Sequence, residues 1–162
     1  MEQLREKKGF LCDMDGVIYH GDRLLPGVKE FVSWLYSENK SFLFLTNASG
    51  KTPQDLRLKL ERMGLDVDET HFYTSALATA KFVSSQNPSC SAFVIGDTGL
   101  YNALHDAGIM INDINPEYVI IGETSNYNYE GICKAVRLVL GGAKLIGTNT
   151  DLTGPSEKGI IP

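Results

Sequence analysis

Short apolar runs alternate along the chain with longer stretches whose apolar residues recur at helical spacing. Strand–helix alternation of this kind predicts an α/β fold with a mostly parallel sheet. The runs that predict buried strands are GFLCD (9–13), SFLFLT (41–46), SAFVIG (91–96), EYVIIG (117–122) and AKLIGT (143–148). The stretches that predict helices between them are GVKEFVSWLYSENK, TPQDLRLKLERMG, GLYNALHDAG and YEGICKAVRLVLGG.

Several predicted helix ends carry their own signals. Pro53 suits the first position of a helix, and Gly64, Gly108 and Gly141 suit the positions just after one. The stretch SSQNPSCS (84–91) has the composition of a linker, which makes it a candidate boundary between two parts of the structure.

The composition narrows the class of protein. Among 162 residues, 43% are hydrophobic and 22% charged, as in globular proteins. A formal charge of −5 disfavours a nucleic-acid-binding surface, and no apolar stretch approaches the ~20 residues that cross a bilayer. The three cysteines lie far apart, which indicates neither a disulfide framework nor a zinc site. We expect a cytoplasmic protein without membrane partners.

Two acidic residues stand at the end of the first apolar run, in FLCDMDGVIYHGD (10–22). Asp13 and Asp15 would repel one another, and neither residue favours a strand. A solvated Asp-x-Asp-Gly turn is the plain structural interpretation. The alternative is that the carboxylates flank a cation or a reacting group.

A polar loop follows the second predicted strand. Thr46 ends that strand, and the backbone N–H groups of NASGKTP (47–53) suit an anion. Ligands of open α/β sheets bind at the carboxyl ends of strands, which would bring Asp13 and Thr46 to one crevice. Carboxylates beside a phosphate-binding loop require a bridging cation, and Mg²⁺ prefers such oxygen ligands. An ordinary strand-to-helix loop is the structural alternative here.

The acid pair permits a division of chemical roles. Asp13 can attack phosphorus and become an aspartyl-phosphate. Asp15 can protonate the leaving oxygen and later take a proton from water. The residues therefore indicate phosphoryl transfer through a covalent intermediate.

These motifs resemble a known family. DMDGVIYHGDRLLPG (13–27) followed by FLTNAS (44–49) is similar to the first two motifs of the haloacid dehalogenase (HAD) superfamily of phosphatases. The later segments resemble its nitrophenylphosphatase/NagD-like subfamily (class IIA). Those segments are FYTSALATAKFV, VIGDTGLYNALHDAGI, PEYVIIGETSNYNYE and LIGTNTDLTGPSEKGIIP.

The resemblance implies a set of site residues. Asp13 would be the nucleophile and a ligand of Mg²⁺, and Asp15 the acid/base residue with its backbone carbonyl on the metal. Thr46 and the amide of Asn47 would hold the phosphoryl group. The implied substrate is a small phosphorylated metabolite.

The resemblance also implies a Rossmann-like HAD core, here partial, with an inserted α/β cap module. Residues 1–78 would form the N-terminal half of the core, and residues 79–162 a cap that is incomplete at its C-terminus. In the family a lysine and a Gly-Asp-x-x-x-x-Asp strand end complete the site after the cap. Between Asp151 and Pro162 we find no candidate for the acidic motif or for the lysine, which in the family is often followed by proline, so we expect the second half of the core to be absent.

Two functional interpretations stay open. One is magnesium-dependent hydrolysis of small phosphomonoesters, with this chain a truncated or inactive form. The other is a non-catalytic half-fold that acts as a binding or partner module. A receiver-like signalling domain is disfavoured, because its phosphorylated aspartate lies on a later strand, where SFLFLT ends in threonine.

Two polar residues outside this set imitate site residues. VIGDTGLYNALHDAG (94–108) resembles the family's later metal-binding motif, but Tyr101 and Asn102 stand where its second acid belongs. We therefore interpret Asp97 as a loop or helix-capping residue of the cap. Lys51 lies beside the phosphate loop, but the family's catalytic lysine follows the cap, so a solvated side chain is expected.

The resemblance has a consequence for assembly. The first strand is central in the complete core of the family, so GFLCD would be an exposed apolar edge in this chain. Such an edge is a template for pairing with another chain. We expect the chain either to self-associate into a homo-oligomer through this edge or to be only marginally folded.

Overall fold

A computed structural model describes residues 2–151, 153–156 and 159–161. The chain divides into two compact units, each with its own apolar core. The first unit comprises residues within 1–46, 53–73 and 153–162. The second comprises residues within 47–52 and 74–152.

The first unit is built on a small sheet with the strand order β1-β4-β5. Two short antiparallel hairpins, β2–β3 and β10–β11, lie outside this sheet. The strands are β1 (Gly9–Asp13), β2 (Tyr19–His20), β3 (Arg23–Leu24), β4 (Ser41–Thr46), β5 (Phe72–Thr74), β10 (Gly154–Ser156) and β11 (Gly159–Ile161). The helices are α1 (Glu2–Arg5), α2 (Val28–Ser37) and α3 (Pro53–Arg62), with a 3₁₀ turn at Glu69–His71.

Strands β1 and β4 run parallel, in a register that pairs Gly9 with Ser41 and Asp13 with Leu45. Phe44 of β4 is fully buried, and α2 and α3 each contribute apolar residues to the same core. These helical residues recur at intervals of three and four, as the sequence pattern predicts. They are Val28, Val32, Leu35, Leu56 and Leu60.

The second unit contains a four-stranded parallel sheet with the order β7-β6-β8-β9. Its strands are β6 (Ser91–Ile95), β7 (Met110–Ile111), β8 (Tyr118–Ile121) and β9 (Lys144–Gly147). Its helices are α4 (Ser75–Gln86), α5 (Thr98–Asp106) and α6 (Tyr129–Leu140). In the described part of the chain no helix is long and apolar enough to cross a membrane.

The five strands predicted from apolar runs all form, with ends that differ by at most one residue. Helix α3 begins at Pro53, as predicted. Helix α4 and strand β5 were not among the predicted elements. Their sequences mix small and polar residues, so their apolar pattern is weak; β5 has only 3 residues.

The proposed boundary at 84–91 is wrong. This stretch covers the end of α4 and the turn into β6, and both elements belong to the second unit. The change between units falls at Tyr73–Thr74. The expected division into core and cap between residues 78 and 79 falls within α4 and stays a prediction. Asn, Pro and Ser suit a helix-to-strand turn as well as a linker, so composition alone could not distinguish them.

Strand β1 lies at the edge of its sheet within the described part of the chain. Phe10 and Cys12 pack against the core of the first unit, whereas Leu11 points away from it and is 72% exposed. Burial raises the pKa of the Cys12 thiol, which keeps this residue neutral. An exposed apolar residue on an edge strand favours pairing with another chain.

We therefore expect Leu11→Lys to reduce self-association, because a charge on an edge strand opposes pairing. Sedimentation velocity at high micromolar concentration measures the effect. Leu58→Lys, at an exposed position of α3, is the matched control and should leave association unchanged. A wild-type chain that sediments as a monomer at these concentrations would contradict the prediction.

Candidate active site

Asp13 is the last residue of β1, and its side chain is exposed at the carboxyl end of the strand. Its Oδ1 accepts a hydrogen bond from the backbone N–H of Met14 at 2.9 Å. Met14 is completely buried, so the chain is anchored directly after the acid. The hydrogen bond from the backbone of buried Met14 thus restrains the Asp13 carboxylate at the edge of the sheet.

A tight turn carries Asp15. Gly16 has a φ of 77°, a left-handed conformation that glycine adopts without strain. Its N–H donates to the carbonyl of Tyr19 at 2.8 Å, and the N–H of Ile18 donates to the carbonyl of Met14 at 2.8 Å. The Tyr19 hydroxyl donates to Asp15 Oδ2 at 3.3 Å. The turn therefore presents a second exposed carboxylate two residues after the first.

Thr46 ends β4 directly after Leu45, the residue that pairs with Asp13. Parallel strands bring their carboxyl ends to one edge of a sheet, so Asp13 and Thr46 end neighbouring strands at that edge. Thr46 is 7% exposed. Asp13 and Thr46 thus lie at one edge of the first unit, and Asp15 follows two residues after Asp13.

Asn47, the fourth predicted residue, belongs to the second unit although it follows Thr46 directly. Its backbone carbonyl accepts a hydrogen bond from Ser75 Oγ at 2.6 Å, and its Nδ2 donates to Asp151 Oδ2 at 3.1 Å. Both partners lie in the second unit. The carbonyl and the side chain of Asn47 are therefore both held by residues of its own unit.

The rest of the polar loop packs closely against helix α5 of the same unit. The N–H of Gly99, in α5, donates to the carbonyl of Gly50 at 3.2 Å. A Cβ on Gly99 would lie 2.5 Å from the backbone oxygen of Lys51 and 2.7 Å from its nitrogen. Only glycine permits this approach. This role of Gly99 was not among those predicted, although GDTG at the start of a helix was a visible signal.

Asp97 and Lys51, the two residues that imitate site residues in the sequence, both belong to the second unit. Asp97 precedes α5, and its Oδ1 accepts a hydrogen bond from Thr124 Oγ1 at 2.7 Å. Lys51 is exposed, as expected. Among the described residues no group of three or more His, Cys, Asp and Glu side chains could hold a metal ion.

Comparison with known proteins agrees with these features. Residues 10–110 match the haloacid dehalogenase-like hydrolase family. A dihydroxyacetone phosphatase of Corynebacterium glutamicum is 46% identical over 153 residues, which are 94% of this chain and 56% of that protein.

Two solved structures share the fold at substantial identity. NagD from Escherichia coli K-12 is 38% identical, with a TM-score of 0.87, and the match covers 94% of this chain and 61% of that one. A 4-nitrophenylphosphatase from Thermotoga maritima is 36% identical, with a TM-score of 0.92 and coverage of 98% and 61%. The chain belongs to the haloacid dehalogenase-like hydrolase family, in the branch of NagD and the p-nitrophenylphosphatases. It spans about 60% of the length of these relatives.

The close approach of Gly99 to the loop generates a prediction. Gly99→Ala should lower the free energy of unfolding by about 1–3 kcal/mol, because the new methyl group would displace backbone atoms of Lys51. Urea denaturation measures this loss, and amide chemical shifts should change most at residues 47–52. Gly147→Ala is the matched control, since its nearest contact would be an ordinary 3.5 Å. Equal effects of the two substitutions would contradict the close packing.

Proposed function

We propose that this chain belongs to a magnesium-dependent phosphatase that hydrolyses small phosphomonoesters through an aspartyl-phosphate. The observation that carries the proposal is the register of β1 and β4, which sets the exposed carboxylate of Asp13 beside the strand that ends in Thr46. The names of the relatives support the reaction class, and dihydroxyacetone phosphatase supports a small phosphorylated metabolite as the substrate.

The donor atoms at the edge of the first unit fit a magnesium ion. Asp13 and Asp15 offer exposed oxygen ligands, and no thiol or imidazole joins them in a group of three among the described residues. Oxygen-only ligation suits Mg²⁺, which keeps several waters and binds substrate phosphate. The Asp13 carboxylate and the Asp15 backbone carbonyl would hold the ion. A bound ion neutralises negative charge on the phosphoryl oxygens.

The chain's own residues then account for two chemical steps. An Asp13 carboxylate oxygen attacks phosphorus, and the bond between phosphorus and the substrate oxygen breaks. Asp15 donates a proton to that leaving oxygen, so the first product departs as an alcohol. Asp15 next takes a proton from a water molecule, whose oxygen attacks the aspartyl-phosphate and releases phosphate. Asp13 is regenerated as a carboxylate.

The phosphoryl group requires donors while negative charge develops on its oxygens. The Thr46 hydroxyl and the backbone N–H of Asn47 are the proposed donors. Ser75 Oγ anchors the carbonyl of Asn47, which fixes the next peptide plane, between Asn47 and Ala48, and supports a fixed loop at this point. We assign the second unit to the cap module of the family, which sets substrate preference.

A second candidate is a half-fold that binds a phosphorylated ligand without turnover. The absence of a third acidic ligand in the described part of the chain favours it. Hydrolysis of p-nitrophenyl phosphate and dihydroxyacetone phosphate with Mg²⁺ separates the two functions. Phosphate release by the wild-type chain supports the enzyme, whereas saturable binding of phosphate without release supports the binding module.

We expect Asp13→Asn to abolish hydrolysis, because an amide cannot supply the attacking carboxylate oxygen. Asp15→Asn should lower kcat by about 10²–10⁴-fold through loss of proton transfer. Steady-state phosphate release measures both effects. Asp22→Asn removes an exposed carboxylate from the nearby hairpin turn and is the matched control. Near-normal turnover by Asp13→Asn would refute its role as the nucleophile.

Magnesium affinity tests the proposed ligand set separately. With one carboxylate and one carbonyl from the protein, binding should be weak, in the millimolar range, and Asp13→Asn should remove it. Isothermal titration calorimetry measures the affinity, and Asp97→Asn should leave it unchanged. Micromolar affinity would show that another acidic residue reaches the ion.

A further inference from the structure

Ser49 is fully buried, with 0% exposure, although it lies in the polar loop after β4. Its Oγ accepts a hydrogen bond from the backbone N–H of Glu123 at 2.8 Å and another from Thr148 Oγ1 at 3.0 Å. All three residues belong to the second unit. A buried hydroxyl that accepts hydrogen bonds from two distant residues restrains the backbone of the residue that carries it.

The partners of this loop follow three neighbouring strands. Gly99, which binds the carbonyl of Gly50, comes after β6; Glu123 comes after β8, and Thr148 after β9. These strands are adjacent in the order β6-β8-β9. Parallel α/β sheets ordinarily bind their ligands at the carboxyl ends of the strands. In the second unit, the loop that contains Ser49 and Gly50 occupies the carboxyl ends of these strands.

The space around Ser49 is closed to larger groups. A Cβ on Gly122 would lie 2.8 Å from Ser49 Oγ and 2.6 Å from Leu100 Cδ2. The carbonyl of Gly122 accepts a hydrogen bond from the Tyr127 hydroxyl at 2.9 Å, which fixes the backbone that faces Ser49. The hydroxyl of Ser49 is therefore confined by the backbone of Gly122 as well as by its hydrogen-bond partners.

We infer that Ser49 and Thr148 are positioning residues for phosphate binding. Their hydrogen bond sets the conformation of residues 47–51, so that the backbone N–H groups of this loop point at the phosphoryl group. The inference rests on the proposed function, because the phosphate is assigned there. It adds that the affinity of the loop for phosphate is controlled from the carboxyl end of β9, by the side chain of Thr148, which does not touch the ligand.

Paired variants at Thr148 test this role. Thr148→Val removes the hydroxyl and keeps the shape of the side chain, while Thr148→Ser keeps the hydroxyl. Amide hydrogen exchange at Ala48, Gly50 and Lys51 reports the conformation of the loop without any ligand. Titration of the full chain with inorganic phosphate, followed by amide chemical shifts, reports binding. Ser49→Ala serves as a second variant from the other side of the hydrogen bond.

We expect Thr148→Val to speed exchange of the loop amides and to weaken phosphate binding about five- to tenfold, the loss that one hydrogen bond produces. Thr148→Ser should restore both properties. The effects of Thr148→Val and Ser49→Ala should be less than additive, because both remove the same hydrogen bond. In an active chain the loss should appear in KM more than in kcat.

Different outcomes overturn different parts of the inference. Unchanged exchange in folded Thr148→Val and Ser49→Ala would show that the hydrogen bond does not set the loop. Faster exchange with unchanged phosphate affinity would refute the link to phosphate while leaving the proposed function intact. If the loop amides of the wild-type chain exchange slowly but the chain binds no phosphate, the proposed function is refuted. The assignment of the phosphate to this loop is then refuted as well.

Discussion

The register of β1 against β4 is the constraint on which the proposed chemistry depends. Because Asp13 pairs with Leu45, the acid at the end of one strand lies next to the strand that ends in Thr46. A shift of one residue would turn each side chain of β1 to the other face of the sheet and bury the carboxylate or move it from the edge. The buried residues Met14 and Phe44 hold the register from the core side.

The boundary between the two compact units crosses the predicted phosphate-binding sequence. Thr46 belongs to the first unit and Asn47 to the second, although one peptide bond joins them. The carbonyl of Asn47 and the hydroxyl of Ser49 are bound by residues of the second unit. The loop is therefore a structural part of the unit that we assign to the cap, and substitutions in that unit are expected to affect phosphate binding.

Much of this arrangement was accessible from the sequence. The strands GFLCD and SFLFLT carry enough Leu and Phe to be identified as buried runs. Asp13 and Asp15 at the end of the first run were visible as acidic residues that strands ordinarily lack. The partners of Ser49 were not accessible, because Glu123 and Thr148 lie 74 and 99 residues away and act through a backbone amide and one hydroxyl. Local periodicity carries no information on contacts at such separations.

Acid-quenched mass spectrometry of the chain tests the central claim most directly. After incubation with p-nitrophenyl phosphate and Mg²⁺, the peptide that contains Asp13 should gain about 80 Da, the mass of one phosphoryl group in a covalent aspartyl-phosphate. Asp15→Asn should retain this adduct longer, because the water that hydrolyses it lacks its base. Phosphate release without an adduct on Asp13, or an adduct on another residue, would contradict the account.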